Sequence, residues 1–376
     1  MQNKINNIVH GGDLDAIERH YNIPRNEILD FSGNINPLGF PERTKNKLKE
    51  NIDVVSTYPD KDYYKLREQI GRYVSADPEH IITGSGATEI ISLFFRALTA
   101  KNALIIVPAY SEYKRELDIT GGDSRYFYLK EDNGFQLDMN ALLGEIDSGL
   151  DLLVVCNPNN PTGTAIHHGQ MEELLIHCRN TGTFVMVDET YAEFAKEDIS
   201  SIPHTACYDN LIVVRGVSKF FSAAGLRLGY GICSNQDIRR KISAIKDSWS
   251  VNSLADFAGR HLFNETEFIK TTKDMISGER EYILKELKSW KNIRVFDTEA
   301  NFVLIKLKNI AASEIYEKLI IKKMLIRDAS SFVGLDESYM RFCFLTAEKN
   351  RLLLRELKEL IEPELEQIAL CASSFP

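Results

Sequence analysis

The chain has 376 residues, is 44% apolar and 26% charged, and carries a formal net charge of −9. That balance is ordinary for a folded globular chain and sets disorder aside, while the negative charge argues against a nucleic-acid-binding surface. No apolar run is long enough to span a bilayer, and Met1-Gln2-Asn3-Lys4-Ile5-Asn6-Asn7 lacks the apolar centre of a signal peptide, so a cytoplasmic protein is expected, with neither membrane nor nucleic acid as partner.

In chain order, the N-terminal stretch carries His10-Gly11-Gly12 and then the run Leu29-Asp30-Phe31-Ser32-Gly33-Asn34-Ile35-Asn36-Pro37-Leu38-Gly39. Strands are expected at residues 80–83, 103–107, 152–156, 183–187, 211–214 and 229–233. Most are apolar almost throughout, as in strands covered on both faces. Between them lie amphipathic helices, one carrying Ile91, Phe94, Phe95 and Leu98, another Met171, Leu174, Leu175 and Cys178. Both stripes follow helical spacing and read as core packing. The alternation predicts an α/β fold with a mainly parallel sheet.

After residue 265 the texture changes. A helix is expected at 265–290, a strand at 301–307, a helix at 311–323, strand pieces at 324–327 and 339–345, and a last helix at 348–361. The expected division is a large domain, 45–265, and a smaller discontinuous α/β domain made of 1–44 and 266–376. Cys156, Cys178, Cys207, Cys233, Cys343 and Cys371 show no C-x-x-C spacing, and reduced thiols are expected. No metal site is expected. The tail after Pro363 carries no motif.

In a parallel sheet a ligand lies beyond the carboxyl ends of the strands, and the chemically distinctive residues fall there. Gly84-Ser85-Gly86-Ala87-Thr88 joins a strand to a helix, where small residues let backbone N–H groups approach a phosphate. Tyr110 follows Pro108 as a ring that either stacks on a cofactor or packs in the core, with Tyr113 the second choice. Asn157-Pro158-Asn159-Asn160-Pro161-Thr162-Gly163 is a turn by itself, and one in which Asn160 can donate to a phenolate oxygen. Asp188 ends a strand and either caps a helix or pairs with a pyridinium N–H. Tyr191 follows it by three. Lys219 sits in Ser218-Lys219-Phe220-Phe221-Ser222-Ala223-Ala224-Gly225-Leu226-Arg227-Leu228-Gly229-Tyr230. A strand-end lysine is ordinarily solvated. Here Ser218 and Arg227 offer a hydroxyl and a guanidinium for an anion nearby, the pairing that pyridoxal phosphate requires.

The joint order of these motifs resembles that of the fold-type I pyridoxal-phosphate enzymes, the aspartate-aminotransferase-like superfamily, over nearly the whole chain. The resemblance implies that Lys219 is the Schiff-base lysine and that Asp188 pairs with the ring nitrogen. Asn160 and Tyr191 would hold the phenolate oxygen, and Gly84, Ser85, Gly86, Ser218 and Arg227 the phosphate. Tyr110 would stack on the ring. Tyr58, in Thr57-Tyr58-Pro59-Asp60, looks like the tyrosine that reaches the phosphate of a neighbouring subunit, which implies a homodimer with shared sites. Gly216 departs from the pattern, since relatives often place a hydroxyl there against the phosphate.

Two arginines in apolar surroundings, Arg327 and Arg341, are either ion-paired internally or left for an anionic substrate. The His-Gly-Gly start, the Asp30–Gly39 segment and Trp249-Ser250-Val251-Asn252 resemble the threonine-phosphate decarboxylases of cobalamin biosynthesis. That resemblance implies a small phosphorylated amino-acid substrate contacted by His10, Gly11, Asn34, Asn160, Arg327 and Arg341. Tyr191 fits the related histidinol-phosphate aminotransferases better, so transamination stays open. A regulator built on the same fold is disfavoured by the intact Lys219, Asp188 and Arg227.

Overall fold

The computed structural model describes residues 12–362. His10, Gly11, Cys371 and the tail after Pro363 lie outside the described residues.

The N-terminal segment contributes a short strand, β1 (Leu29–Asp30). A seven-stranded sheet follows, built from β2 (Ile81–Gly84), β3 (Asn102–Val107), β4 (Asp123–Tyr128), β5 (Leu152–Cys156), β6 (Phe184–Asp188), β7 (Leu211–Gly216) and β8 (Gly229–Ile232). Its order is β2-β8-β7-β6-β5-β3-β4. Pairing is parallel from β7 through to β4, and β8 runs antiparallel to both β7 and β2.

The six expected strands are all present, one of them, 152–156, with the same ends and the others with ends that differ by one or two residues. β4 was not expected. Its run Asp123-Ser124-Arg125-Tyr126-Phe127-Tyr128 begins with polar residues because it is an edge strand, half exposed to solvent. The central strands show why apolar runs lose their period. Leu153, Val155, Val185, Val187, Leu211 and Val213 pack on one face. Leu152, Val154, Met186, Ile212 and Val214 pack on the other, against Ile90 and Phe94 of the helix Ala87–Leu98. Both faces are covered, so both sets of alternate residues must be apolar.

A second sheet is antiparallel: β9 (Ile293–Val295), β10 (Phe302–Leu307), β12 (Arg327–Asp328) and β13 (Tyr339–Cys343), ordered β12-β13-β10-β9. Between β10 and β12 lies β11 (Met324–Leu325), which pairs parallel with β1. The single strand expected at 324–327 is therefore two short strands with different partners. The chain switches neighbours at Ile326, which is buried between them. The β1–β11 register sets the N-terminal segment beside the C-terminal region, and Phe31 O accepts from Cys343 N–H at 2.8 Å.

Five described cysteines are free thiols, four of them buried and Cys207 exposed. Among the described residues, no helix is long and apolar enough to cross a membrane, and no group of His, Cys, Asp and Glu side chains is placed to hold a metal ion.

A buried ionic cluster braces the strand ends. Arg215, one residue before Gly216, donates from Nε and Nη2 to Glu189 Oε2 at 3.0 and 2.8 Å. Nη2 also donates to Ser200 Oγ at 2.9 Å, and Glu193 approaches Nη1 at 3.6 Å. The cluster ties the residue after Asp188 to the strand that leads into Lys219. Removing one member of such a pair leaves a buried charge uncompensated, which costs about 3 kcal/mol. Glu189→Ala should accordingly lower the urea midpoint of the cofactor-free protein far more than Glu197→Ala, an exposed control. Equal midpoints would mean that Glu193 alone carries the guanidinium.

Candidate active site

The carboxyl ends of β2, β3, β5, β6 and β7 open on one cleft of about 280 Å³. Tyr110, Asn160, Asp188, Tyr191, Ser218, Lys219, Arg227, Asn34, Arg327 and Arg341 all line it. Ten residues expected from sequence thus meet, drawn from positions 34 to 341.

Lys219 follows β7 by three residues. Its Nζ donates to Gly33 O at 2.8 Å. Burial lowers its pKa from the ordinary lysine range to about 8, with the Arg341 charge pushing the same way. A sizeable fraction of the amine is therefore neutral near pH 8, the form that attacks an aldehyde.

Asp188 is 5% exposed at the end of β6. Burial raises its pKa; hydrogen bonds from Thr190 and Tyr113 oppose that. Thr190 N–H and Oγ1 donate to Oδ1 at 2.9 and 2.6 Å, and Tyr113 OH donates to Oδ2 at 2.7 Å. Tyr113 is wholly buried and lies edge-on to Tyr110, with ring centres 5.7 Å apart. It serves Asp188, and Tyr110 is the more open ring of the two at the cleft wall.

The arrangement at the helix Ala87–Leu98 differs in detail from expectation. Gly86 N–H donates to Gly84 O at 2.9 Å, and Ser85 N–H donates to the Glu89 carboxylate. These two amides are engaged within the turn. Ala87 and Thr88, at the first helical turn, line the cleft instead. Amides there lack intrahelical acceptors and carry the positive end of the helix dipole. Gly86 has φ +86°, and a Cβ on it would lie 2.4 Å from Arg227 Nη2. At Gly229 a Cβ would come within 2.3 Å of Ala87 N. Both glycines are needed for the guanidinium and the helix start to come together. Arg227 donates to Ala224 O at 3.1 Å, an uncharged acceptor that leaves its charge for an anion. At Gly216 a Cβ would meet Ala87 Cβ at 3.4 Å and Ala87 N at 3.6 Å. These are ordinary contacts, so space does not explain the missing hydroxyl.

These features fit pyridoxal phosphate. An amine of lowered pKa suits the aldehyde, a buried carboxylate suits the ring nitrogen, and a glycine-shaped cradle beside a helix start and an arginine suits the phosphate.

At the opposite wall, Arg327 and Arg341 face each other across β12 and β13 in register. They are 8% and 4% exposed. Arg341 donates to Asn160 Oδ1 and, at 2.8 Å, to Ser32 O. Asn160 thereby has its carbonyl engaged and its Nδ2 left as a donor. Arg341 Nε and Asn34 Oδ1 are buried without a hydrogen-bond partner among the described residues. Asn34, at φ +55°, donates from Nδ2 to Tyr191 OH at 3.2 Å. Arg327 donates to Ser331 Oγ at 2.7 Å. Burial, then the Arg341 charge, lowers the Arg327 pKa to about 10, and burial lowers that of Arg341 as well.

Tyr58 does not line the cleft of its own chain. It is 79% exposed and tilts against Trp249, with ring centres 4.7 Å apart. Thr190, Ser331 and Phe332, which also line the cleft, were missed by sequence reasoning. Their residue types are common, and only proximity in space singles them out.

Known proteins point the same way. The family model for aminotransferase class I and II matches residues 26–357. A Caldanaerobacter subterraneus protein provisionally named threonine-phosphate decarboxylase is 40% identical over 331 residues, covering 88% of this chain and 89% of that one. The crystal structure of a histidinol-phosphate aminotransferase from Clostridium acetobutylicum superposes with a TM-score of 0.84 at 34% identity, covering 89% of this chain and 99% of the other. That of an L-threonine-O-3-phosphate decarboxylase from Porphyromonas gingivalis gives 0.80 at 26%, covering 88% and 99%.

The lowered pKa of Lys219 has a kinetic signature. Mixed with pyridoxal phosphate, the cofactor-free protein should develop its visible band at a rate that rises with pH and levels off above about 8. Only the neutral amine reacts, so the sign is upward. A rate still climbing in the ordinary lysine range would contradict the assignment, and Lys219→Ala should give no band at all.

Proposed function

The chain belongs to the aminotransferase class I and II family, whose fold-type I, pyridoxal-phosphate-dependent architecture it shares, and on that premise we propose that it decarboxylates L-threonine O-3-phosphate to (R)-1-amino-2-propanol phosphate, a step of cobalamin biosynthesis. The observation that carries this reading is the pair of buried guanidiniums, Arg327 and Arg341, facing one cleft beside Lys219. A substrate with a phosphate at one end and a carboxylate at the other matches two cationic sites on one wall. The similarity to a relative carrying the decarboxylase name supports it.

Bound pyridoxal phosphate supplies an electron sink for the pair left on Cα when the carboxylate departs. The chain's own residues supply position and protons. Arg327, with the Ser331 hydroxyl at 2.7 Å, takes the substrate phosphate. His10 and Gly11, outside the described residues, are assigned to the same group. Arg341 has a buried Nε with no acceptor among the described residues. It takes the carboxylate, together with Asn34. That grip decides which Cα bond stands across the ring plane, and the bond so placed is the one that breaks. Asn160 Nδ2 and Tyr191 OH serve the phenolate oxygen. Asp188 keeps the ring nitrogen protonated. Lys219 Nζ delivers a proton to Cα where carbon dioxide has left. In this reading Tyr58 serves the cofactor phosphate of a second copy in a homodimer. The large unit is residues 45–265, and the smaller one, residues 1–44 and 266–376, carries the substrate arm.

Tyr191 favours a second reading, phosphate-substrate transamination. It lines the cleft with its hydroxyl bonded to Asn34, and the histidinol-phosphate aminotransferase of Clostridium acetobutylicum superposes well.

The two readings separate cleanly. The cofactor-loaded protein given threonine phosphate, with no keto acid, should release carbon dioxide and form the amine phosphate. No release, with amino transfer from histidinol phosphate to 2-oxoglutarate instead, would establish the second. Arg327→Ala should raise KM for the phosphorylated substrate by about 100-fold, the loss of one charge-assisted contact to phosphate, with a smaller effect on kcat. An unchanged KM would move the phosphate elsewhere.

A further inference from the structure

Among the described residues, the hydrogen-bond donors to Asp188 are all neutral. Thr190 holds Oδ1 from within its own loop. Tyr113 holds Oδ2 at 2.7 Å from the helix Glu112–Ile119, which follows β3. Among the described residues, the titratable groups facing Asp188 include Glu189, Tyr110, Tyr113, Cys156 and Tyr191, none of these a cation. Cys156 stands opposite it in the β5–β6 register, with its thiol directed to Pro158 O at 3.3 Å. The cations of the cleft have hydrogen bonds elsewhere: Lys219 with Gly33 O, Arg227 with Ala224 O, Arg327 with Ser331 Oγ, and Arg341 with Asn160 and Ser32 O. Tyr113 itself has no freedom to leave. Its ring is 1% exposed and packs edge-on against Tyr110.

We propose that Tyr113 is a positioning residue for the ring nitrogen of the cofactor, acting through Asp188. Its hydroxyl orients Oδ2 and makes the carboxylate a weaker base, so the proton between Asp188 and the ring resides on the ring. A cation in the same place would neutralise Asp188 and remove its reason for holding a protonated ring. A hydroxyl weakens the base while leaving the negative charge in place. Because Tyr113 enters from the segment after β3, it also ties the carboxylate to the wall that carries the stacking ring, Tyr110. The role is the same for decarboxylation and for transamination, so it stands or falls apart from the choice of substrate.

The test is Tyr113→Phe, which keeps the ring and deletes the donor. A protonated ring repels a proton on the nitrogen joining Lys219 to the cofactor, and a ring that has lost its proton repels it less. The pH midpoint of the visible band of the cofactor-loaded protein should therefore move upward, by about one unit. With cofactor labelled with nitrogen-15 in the ring, the resonance should move toward the unprotonated position. Fluorotyrosine in place of Tyr113 preserves the packing and is a stronger donor, so it should move both readouts the opposite way. That second variant serves if the phenylalanine substitution does not fold. A purely structural Tyr113 would lower the Tm without displacing either readout. Unchanged midpoint and resonance in folded, cofactor-loaded variants would overturn the proposal.

Discussion

The cleft depends on holding three cations close together out of water. Lys219, Arg327 and Arg341 line one cavity, and the Arg341 charge depresses the pKa of both others beyond the effect of burial. Such a concentration of like charge costs stability unless its donors are satisfied. The structure satisfies several of them with neutral acceptors: Gly33 O for Lys219, Ser32 O and Asn160 Oδ1 for Arg341, Ser331 Oγ for Arg327. For Arg341 the terminal nitrogens are engaged by uncharged oxygens, while its buried Nε has no partner among the described residues.

Two of these four neutral acceptors, Ser32 O and Gly33 O, arrive on one strip of chain, the N-terminal segment around Ser32–Asn36. Asn36 N–H donates to Lys219 O at 3.0 Å, and its side chain donates to Phe220 O and Thr272 Oγ1. Asn301 donates to Asn34 O at 3.0 Å. Asp30 accepts from Ser32 and Gly33 N–H and so shapes the turn that aims their carbonyls. The same strip pairs with β11 through β1 and reaches the second sheet where Phe31 O accepts from Cys343 N–H of β13. A segment with little secondary structure of its own thus couples the lysine loop to both arginine strands. Its backbone carbonyls are its working groups, which explains why it needs no long regular element.

At the other end of the cleft the organising device is close approach. Gly86 and Gly229 let Arg227, the start of the helix Ala87–Leu98 and β8 share a volume that one methyl group would fill. Asp188 and Lys219 are then set against this cradle by neighbouring parallel strands, whose ends are braced underneath by Arg215 and Glu189. In the proposed function, the residues assigned to the cofactor thus rest on the large sheet, and those assigned to the substrate rest on the antiparallel strands and the N-terminal strip.

That division also marks what could be read directly from the chain. The sequence by itself determined the α/β alternation, because doubly covered strands need unbroken apolar runs such as Leu152–Cys156 and Leu211–Val214. It also singled out Asp188, Asn160, Ser218, Lys219 and Arg227, which lie in motifs of restricted composition near strand ends and line one cleft in the structure. The edge strand β4, the split at Ile326 and the engagement of the Ser85 and Gly86 amides were not legible. Each depends on which neighbour lies alongside, and local pattern carries no such information. Tyr113 is the clearest case. By sequence it was a reserve stacking ring, and only the folded chain brought its hydroxyl, on the helix after β3, to Asp188 at the end of β6. The arginines divide the same way. Their apolar setting flagged Arg327 and Arg341 as costly, but their facing positions across β12 and β13 and the uncharged oxygens of Ser32, Asn160 and Ser331 that reach them are properties of tertiary structure. Burial and proximity arise from contacts between residues far apart in the chain, and those contacts exist only once it has folded.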